Sequence, residues 1–176
     1  SPLYQYGRSK IDQLASDTGM LANLATEEGG RAVYLYQSRG NYAVNLDTHV
    51  GYRLQLHNIG IGKAILASLP RERVEAIIDE WGLPKATENT ITDREELFAE
   101  LERSRERGYT IGDRYYTEGL RSVGKAVTGP DGTVLGALSV SGPTYRIDGA
   151  VLDREIPRAL SDVVDALEAE LDTEVP

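Results

Sequence analysis

Asp131-Gly-Thr-Val-Leu-Gly-Ala-Leu-Ser-Val-Ser-Gly-Pro143 is the stretch from which the fold is read. Asp131-Gly132 marks a turn, Val134 to Val140 is an apolar run of strand length, and Gly142-Pro143 stops it. Within the run Ser139 and Ser141 stand one strand period apart, so their hydroxyls share a face. Two strand residues span about 6 to 7 Å, room for the pair to flank a small polar molecule lying across the sheet. The bland alternative is that both hydroxyls bond neighbouring backbone, where most side-chain hydrogen bonds go. The rest of the chain must choose between these readings.

Arg121 to Thr128 reads as a second strand, joined to the first by Gly129-Pro-Asp-Gly132, and Tyr109 to Asp113 as a third. Ser9 to Thr26 is expected to form one opening helix despite Gly19, because Ile11, Leu14, Ala15, Thr18, Leu21, Ala22 and Ala25 recur at spacings of three and four. Gly29-Gly30 would end it. Arg31 to Gln37 and Asn41 to Leu46 then read as strands separated by a hairpin signal at Ser38-Arg39-Gly40, with Arg53 to Leu56 a further strand. Gly60 to Leu69 and Arg71 to Trp81 read as helices, stopped by Pro70 and Gly82. A third begins at Thr92-Asp-Arg-Glu95, which fits a capping box, and ends at Gly108. Val151 to Leu171 closes the chain as a helix striped with Leu152, Ile156, Leu160, Val163, Val164 and Leu167. Short connections make the sheet largely antiparallel. The expected architecture is one α+β domain over residues 1–176, its sheet flanked by helices and its terminal helices packed together on one face.

A chain of 176 residues buries about 70% of its unfolded surface without crosslinks, and the absence of cysteine excludes disulfides and thiolate sites. No run of 18 apolar residues suggests membrane insertion, so the cytoplasm is the expected location. With 28 acidic residues against 19 basic ones and a net charge of −9, this surface should repel nucleic acid. Its acidic, lysine-poor composition also suits a salt-adapted intracellular protein, in which net charge maintains solubility.

Three segments are suited to binding. Asn58-Ile-Gly-Ile-Gly-Lys63 enters a helix through two glycines, which permit close backbone approach and leave first-turn amides free for an anion such as a carboxylate. It is not a phosphate loop, since His57 stands where the first glycine belongs and Ala64 follows Lys63. Lys63 is either a ligand for that anion or, the favoured reading, a surface residue whose stem snorkels. Tyr109 to Ser122 joins two strands through a polar, aromatic loop in which Asp113 is a hydrogen-bond acceptor or an ordinary loop cap, Leu120 an apolar wall and Ser122 a donor. His49 and His57 lack metal-ligand spacing, and no base is apparent beside Ser139. No catalytic residue, metal or cofactor is assigned.

Taken together, Leu56-His-Asn-Ile-Gly-Ile-Gly-Lys-Ala-Ile-Leu-Ala67, Gly82-Leu-Pro with Asn89-Thr-Ile-Thr92, Arg107-Gly-Tyr109 leading to Asp113 and Gly119-Leu-Arg121, and Leu138-Ser-Val-Ser-Gly-Pro143 resemble the effector-binding domain of IclR-type transcriptional regulators. The resemblance covers almost the whole chain. It implies a GAF-like, profilin-like fold whose pocket takes small organic acids or aromatic metabolites. Carried over by position, the lining is Leu46, Gly60, Ile61, Asp113, Leu120, Ser122, Ser139 and Ser141. Similar proteins that bind small keto acids carry a smaller residue at Ile61, an acid at Gly112 and sometimes cysteine at Ser122, so this chain departs from them. They also begin with a winged helix-turn-helix domain that is not seen here, and residues 1–8 read as the remnant of a linker to it.

The resemblance implies a sensor of a small-molecule effector that acts as a homo-oligomer, dimer or tetramer, and reaches DNA only through that further domain. Two alternatives stay open: a small serine hydrolase drawing its base from His49 or His57, and a stand-alone interaction domain.

Overall fold

The computed structural model describes residues 1–43, 46 and 48–174. Helix α1 runs over Pro2–Thr18, its first turn capped by the Ser1 hydroxyl, which accepts from the Tyr4 amide, and its end set by Gly19 at φ 75°. That left-handed conformation lets the Gly19 amide reach the Ala15 carbonyl, and a side chain would resist it. Residues 2–8, expected as linker, form the first turns of this helix, with Leu3 buried in a core cluster that also holds Leu160, Leu167 and Leu171.

The sheet begins where the opening helix was expected to continue. Leu21–Glu28 is strand β1, not the second half of α1. The physical reason is burial on both sides: β1 lies between β2 (Arg31–Arg39) and β6 (Val134–Pro143), and Leu21, Ala22, Leu24 and Ala25 are all 0% exposed. A strand covered on both faces shows no polar alternation, so its apolar residues also satisfy a helical spacing. Gly29-Gly30 is accordingly the turn of a two-residue hairpin, both residues having positive φ, rather than a helix terminator.

Strand β3 is Arg53–Gln55, followed by a single 3-10 turn over Leu56–Asn58. The strand expected over residues 41–46 is not one among its described residues, and Val44 and Asn45 lie outside the description. Helices α2 (Gly60–Ser68), α3 (Arg71–Trp81) and α4 (Arg94–Arg107) come next. The cap of α4 is Asp93, whose carboxylate accepts from the Glu96 amide at 2.9 Å, one residue after the threonine expected to serve. Strands β4 (Thr110–Asp113) and β5 (Leu120–Thr128) precede β6. A short π turn over Val151–Glu155 leads into α5 (Ile156–Glu174).

The strands form one antiparallel sheet in the order β3-β2-β1-β6-β5-β4. α1 and α5 pack together on one face, over Val123, Leu138 and Val140. α2, α3 and α4 cover the other through Ile61, Ile65, Val74, Ile77, Leu97 and Leu101. The α+β architecture expected from the sequence, with paired terminal helices, is the one found.

A β-bulge in β2 assigns its side chains. Leu24 pairs with Tyr36 and Ala25 with Tyr34, so Leu35 opposes no residue. Tyr34 consequently sinks into the α2 layer, whereas Tyr36 turns to the other face and donates to Asp12 of α1 at 2.9 Å.

Lys63 is not a snorkelling surface residue. Its ammonium is 0% exposed, 2.5 Å from the Glu100 carboxylate of α4, and lies 4.5 Å from the centre of the Tyr115 ring. Burial pushes its pKa down to about 8 against the pull of Glu100, so it is still charged at neutral pH. For Glu100, burial alone would raise the pKa, but Lys63 and Arg103 outweigh it and hold the group ionised. Glu100→Gln should therefore cost about 3 to 5 kcal/mol in urea unfolding, by stranding the buried ammonium. Replacing both partners with Met and Leu should recover most of that loss.

Candidate functional site

Two rows of residues run across the sheet face that meets α2. Gln37, Asn23, Ser139 and Gly124 form one, contributed by β2, β1, β6 and β5. Leu21, Ser141, Ser122 and Gly112 form the next, contributed by β1, β6, β5 and β4. Ser139 and Ser141 do share a face, and it is this one. A polar belt thus interrupts a layer that is otherwise apolar, between Ala25 and Ala137 on one side and the start of α2 on the other.

The belt is connected by hydrogen bonds. Gln37 Nε2 donates to Asn23 Oδ1 at 2.8 Å and to Thr48 Oγ1 at 3.1 Å, and Asn23 Nδ2 donates to Ser139 Oγ at 3.1 Å. Ser122 Oγ accepts from the Gly60 amide at 3.0 Å. Among the described residues, Ser141 Oγ is buried with no hydrogen-bond partner. A buried hydroxyl left unpaired costs about 1 to 3 kcal/mol, so this one is maintained against its own energetics.

The α2 N-terminus reaches the sheet because no side chain stands between them. Thr110 Oγ1 donates to the Gly60 carbonyl at 2.6 Å, and a Cβ on Gly112 would lie 2.5 Å from Ser122 Oγ and 2.7 Å from the Gly60 nitrogen. The helix has no side-chain cap, and its first-turn amides and positive dipole end face the serine rows. Ser139, Ser141 and Ile61 are 0% exposed, Ser122 1% and Leu120 3%, so the cluster is closed to solvent.

Of the residues expected to line a pocket, Gly60, Ser122, Ser139 and Ser141 converge here, with Ile61 and Leu120 in the adjoining apolar layer and Leu46 packed against it. Asp113 does not join them. It follows Gly112 on β4 and therefore points to the opposite face, where its carboxylate accepts from Arg121 Nε at 2.9 Å and from Arg114 Nε at 3.1 Å. Its backbone carbonyl and the two after it are held by Asn89, Thr87 and Thr90, which fasten the loop that includes Arg114 at φ 61°.

Asn23, Gln37 and Thr48 were missed. Asn23 alone carried a signal: a lone amide within an apolar run is out of place on a helical core stripe. Gln37 carried none, because only the bulge at Leu35 turns it toward this face. Neither histidine bonds the serines: His57 Nε2 donates to the Pro84 carbonyl at 2.9 Å, and His49 Nδ1 lies beside Val50 O. Among the described residues no cluster of His, Cys, Asp or Glu is arranged to hold a metal, and no helix is long and apolar enough to cross a membrane.

The family model of the bacterial transcriptional regulator IclR C-terminal domain matches residues 2–169. This chain belongs to that family. An IclR-type relative from Halobacterium salinarum, the probable HTH-type transcriptional regulator ArcR, is 35% identical over 97% of this chain and 66% of its own length. The HTH-type transcriptional repressor AllR of Escherichia coli K12 is 35% identical over 74% of the chain and 48% of its own. This IclR C-terminal domain therefore spans about two thirds of one relative and about half of the other. The C-terminal domain of the E. coli transcriptional regulator KdgR superposes with a TM-score of 0.86 at 27% identity, covering 98% of this chain and 99% of that one. These relatives are named as regulators and repressors, not as enzymes.

Asp113 supplies a test of the site's boundary. Burial would raise its pKa, but hydrogen bonds from Arg114 and Arg121 outweigh this and hold it below the ordinary 3.8. A carboxylate depressed on folding stabilises above its unfolded pKa and loses that contribution as pH falls through the folded value. Asp113→Asn should thus lower the melting temperature near neutrality and flatten its decline below pH 3.8, while leaving the affinity of any ligand at the serine rows unchanged.

Proposed function

We propose that this domain senses a small organic acid, aliphatic or aromatic, and passes its presence to a winged-helix DNA-binding domain of the same regulator through a change in dimer or tetramer geometry. The observation that carries the reading is Ser141: a fully buried hydroxyl with no partner, beside two further serine hydroxyls and the uncapped N-terminus of a helix. Hydroxyl donors and a positive helix end suit a carboxylate. Gly112, where the family resemblance expects an acid in keto-acid binders, leaves no negative charge in the two rows to oppose one.

The closure of the site supplies the coupling. A ligand reaches these hydroxyls only when the covering elements part, so it interacts differently with two arrangements of the domain. That difference is what shifts an equilibrium, and about 1 to 3 kcal/mol of coupling suffices for regulation. DNA contact belongs to the further domain, since the net charge of −9 here opposes it. The acidic composition suits a salt-rich cytoplasm, and one relative comes from Halobacterium salinarum.

A thermal-shift panel of acetate, pyruvate, lactate and benzoate at low and high salt, followed by calorimetry, tests the reading. Ser141→Ala should weaken the best acid roughly tenfold or more, since a hydrogen bond to a charged acceptor is worth about 1.5 to 3 kcal/mol. The same variant should be as stable as the parent or more so, because it removes an unpaired buried hydroxyl. Unchanged affinity would overturn the assignment.

A further inference from the structure

We propose that Gln37 and Asn23 set the direction of the protons in this site and thereby restrict it to ligands that accept hydrogen bonds, carboxylates above all. The inference rests on the preceding reading of the serine rows as the effector site and adds what selects the ligand's polarity. Both act through Ser139, so they are positioning residues.

Polar side-chain groups have fixed hydrogen-bonding roles. An amide nitrogen only donates, an amide oxygen only accepts, and a hydroxyl has one proton that must go somewhere. Gln37 turns its nitrogen toward Asn23 Oδ1, at 2.8 Å, and the same nitrogen donates to Thr48 Oγ1 at 3.1 Å. Asn23 must then present its nitrogen to Ser139 Oγ, at 3.1 Å. Because Ser139 accepts from an amide, its own proton is left for a group lying over the sheet. Ser122 is set in the same sense by another route, accepting from the Gly60 amide at 3.0 Å. Ser141 has no partner and is free to follow.

All three hydroxyls are thus available as donors on one face, and Asn23 is 0% exposed, away from bulk solvent. Running the chain backwards would reverse this. If Gln37 offered its oxygen, Asn23 would turn its nitrogen away from Ser139, and Ser139 would spend its proton on Asn23 Oδ1. The site would then present an acceptor and favour an amine or amide. The bulge at Leu35 is what puts Gln37 in position to decide.

Gln37→Glu tests this, because a carboxylate at position 37 can only accept and so imposes the reversed chain. The reading is the affinity ratio of benzoate to benzamide and of lactate to lactamide, by calorimetry at low and at molar salt. The ratio should favour the carboxylate in the parent and fall roughly tenfold or more in Gln37→Glu, by the worth of one charge-assisted hydrogen bond. Repulsion from the added charge would also lower the ratio and is only weakly screened at a buried site, so an uncharged variant separates the two causes. Gln37→Met, uncharged and of similar volume, should lower the ratio less but in the same direction, and keeps the test usable should the glutamate variant unfold. Ratios unchanged in both variants, in a protein whose binding still fails on Ser139→Ala, would overturn the proton-direction inference and leave the site reading standing. A fall in Gln37→Glu with none in Gln37→Met would overturn it too, because charge repulsion alone gives that result. A parent chain that binds none of the four compounds would overturn the site reading itself.

Discussion

The rest of this structure depends on how closely the start of α2 approaches the sheet. Gly60 donates its amide to Ser122 and takes a hydrogen bond from Thr110 on its carbonyl, and the facing positions, Gly112 and Gly124, have no side chains. A Cβ on Gly124 would lie 2.5 Å from the Gly60 carbonyl oxygen. With the helix held at that distance, its uncapped first turn sits directly over two rows of polar side chains. Moving it outward by the width of a methyl group would break both hydrogen bonds and separate the helix from Ser122.

The same approach explains why so much polarity survives inside a hydrophobic layer. Asn23, Ser122, Ser139 and Ser141 are essentially unexposed, yet only Ser141 lacks a partner, because the backbone of α2 and the amide chain from β2 satisfy the others. A buried network that is complete but for one group is costly, and it specifies where a ligand's polar atom would have to go. The Lys63–Glu100 pair serves a separate purpose on the far side of α2, tying the helix to α4 beneath the Tyr115 ring.

Reading from sequence was reliable where a segment's periodicity and its punctuation agreed. Arg71–Trp81 ends at its glycine, β5 and β6 are joined by the Gly129 to Gly132 turn, and the acidic cap of α4 lies within one residue of the expected one. It failed at Leu21–Glu28, where burial on both faces erased the alternation that distinguishes a strand. That single misreading hid Asn23, and with it the link from Ser139 to Gln37. Asp113 failed differently: strand alternation after Gly112 already places it on the opposite face, but its Arg121 partner, on the neighbouring strand, was visible only once the register was known.

What the sequence by itself determined is local: the α+β order of elements, the strand carrying Ser139 and Ser141, the glycine entry to α2, and an acidic surface unsuited to nucleic acid. Those features follow from residue type and spacing within a few positions. The tertiary structure alone decided which side chains meet. Asn23 and Ser139 are 116 residues apart, Gly60 and Ser122 are 62 apart, and Lys63 finds Glu100 across 37. Such contacts depend on strand order, on register and on one bulged residue, and a shift of a single residue in any of them turns a side chain to the other face of the sheet.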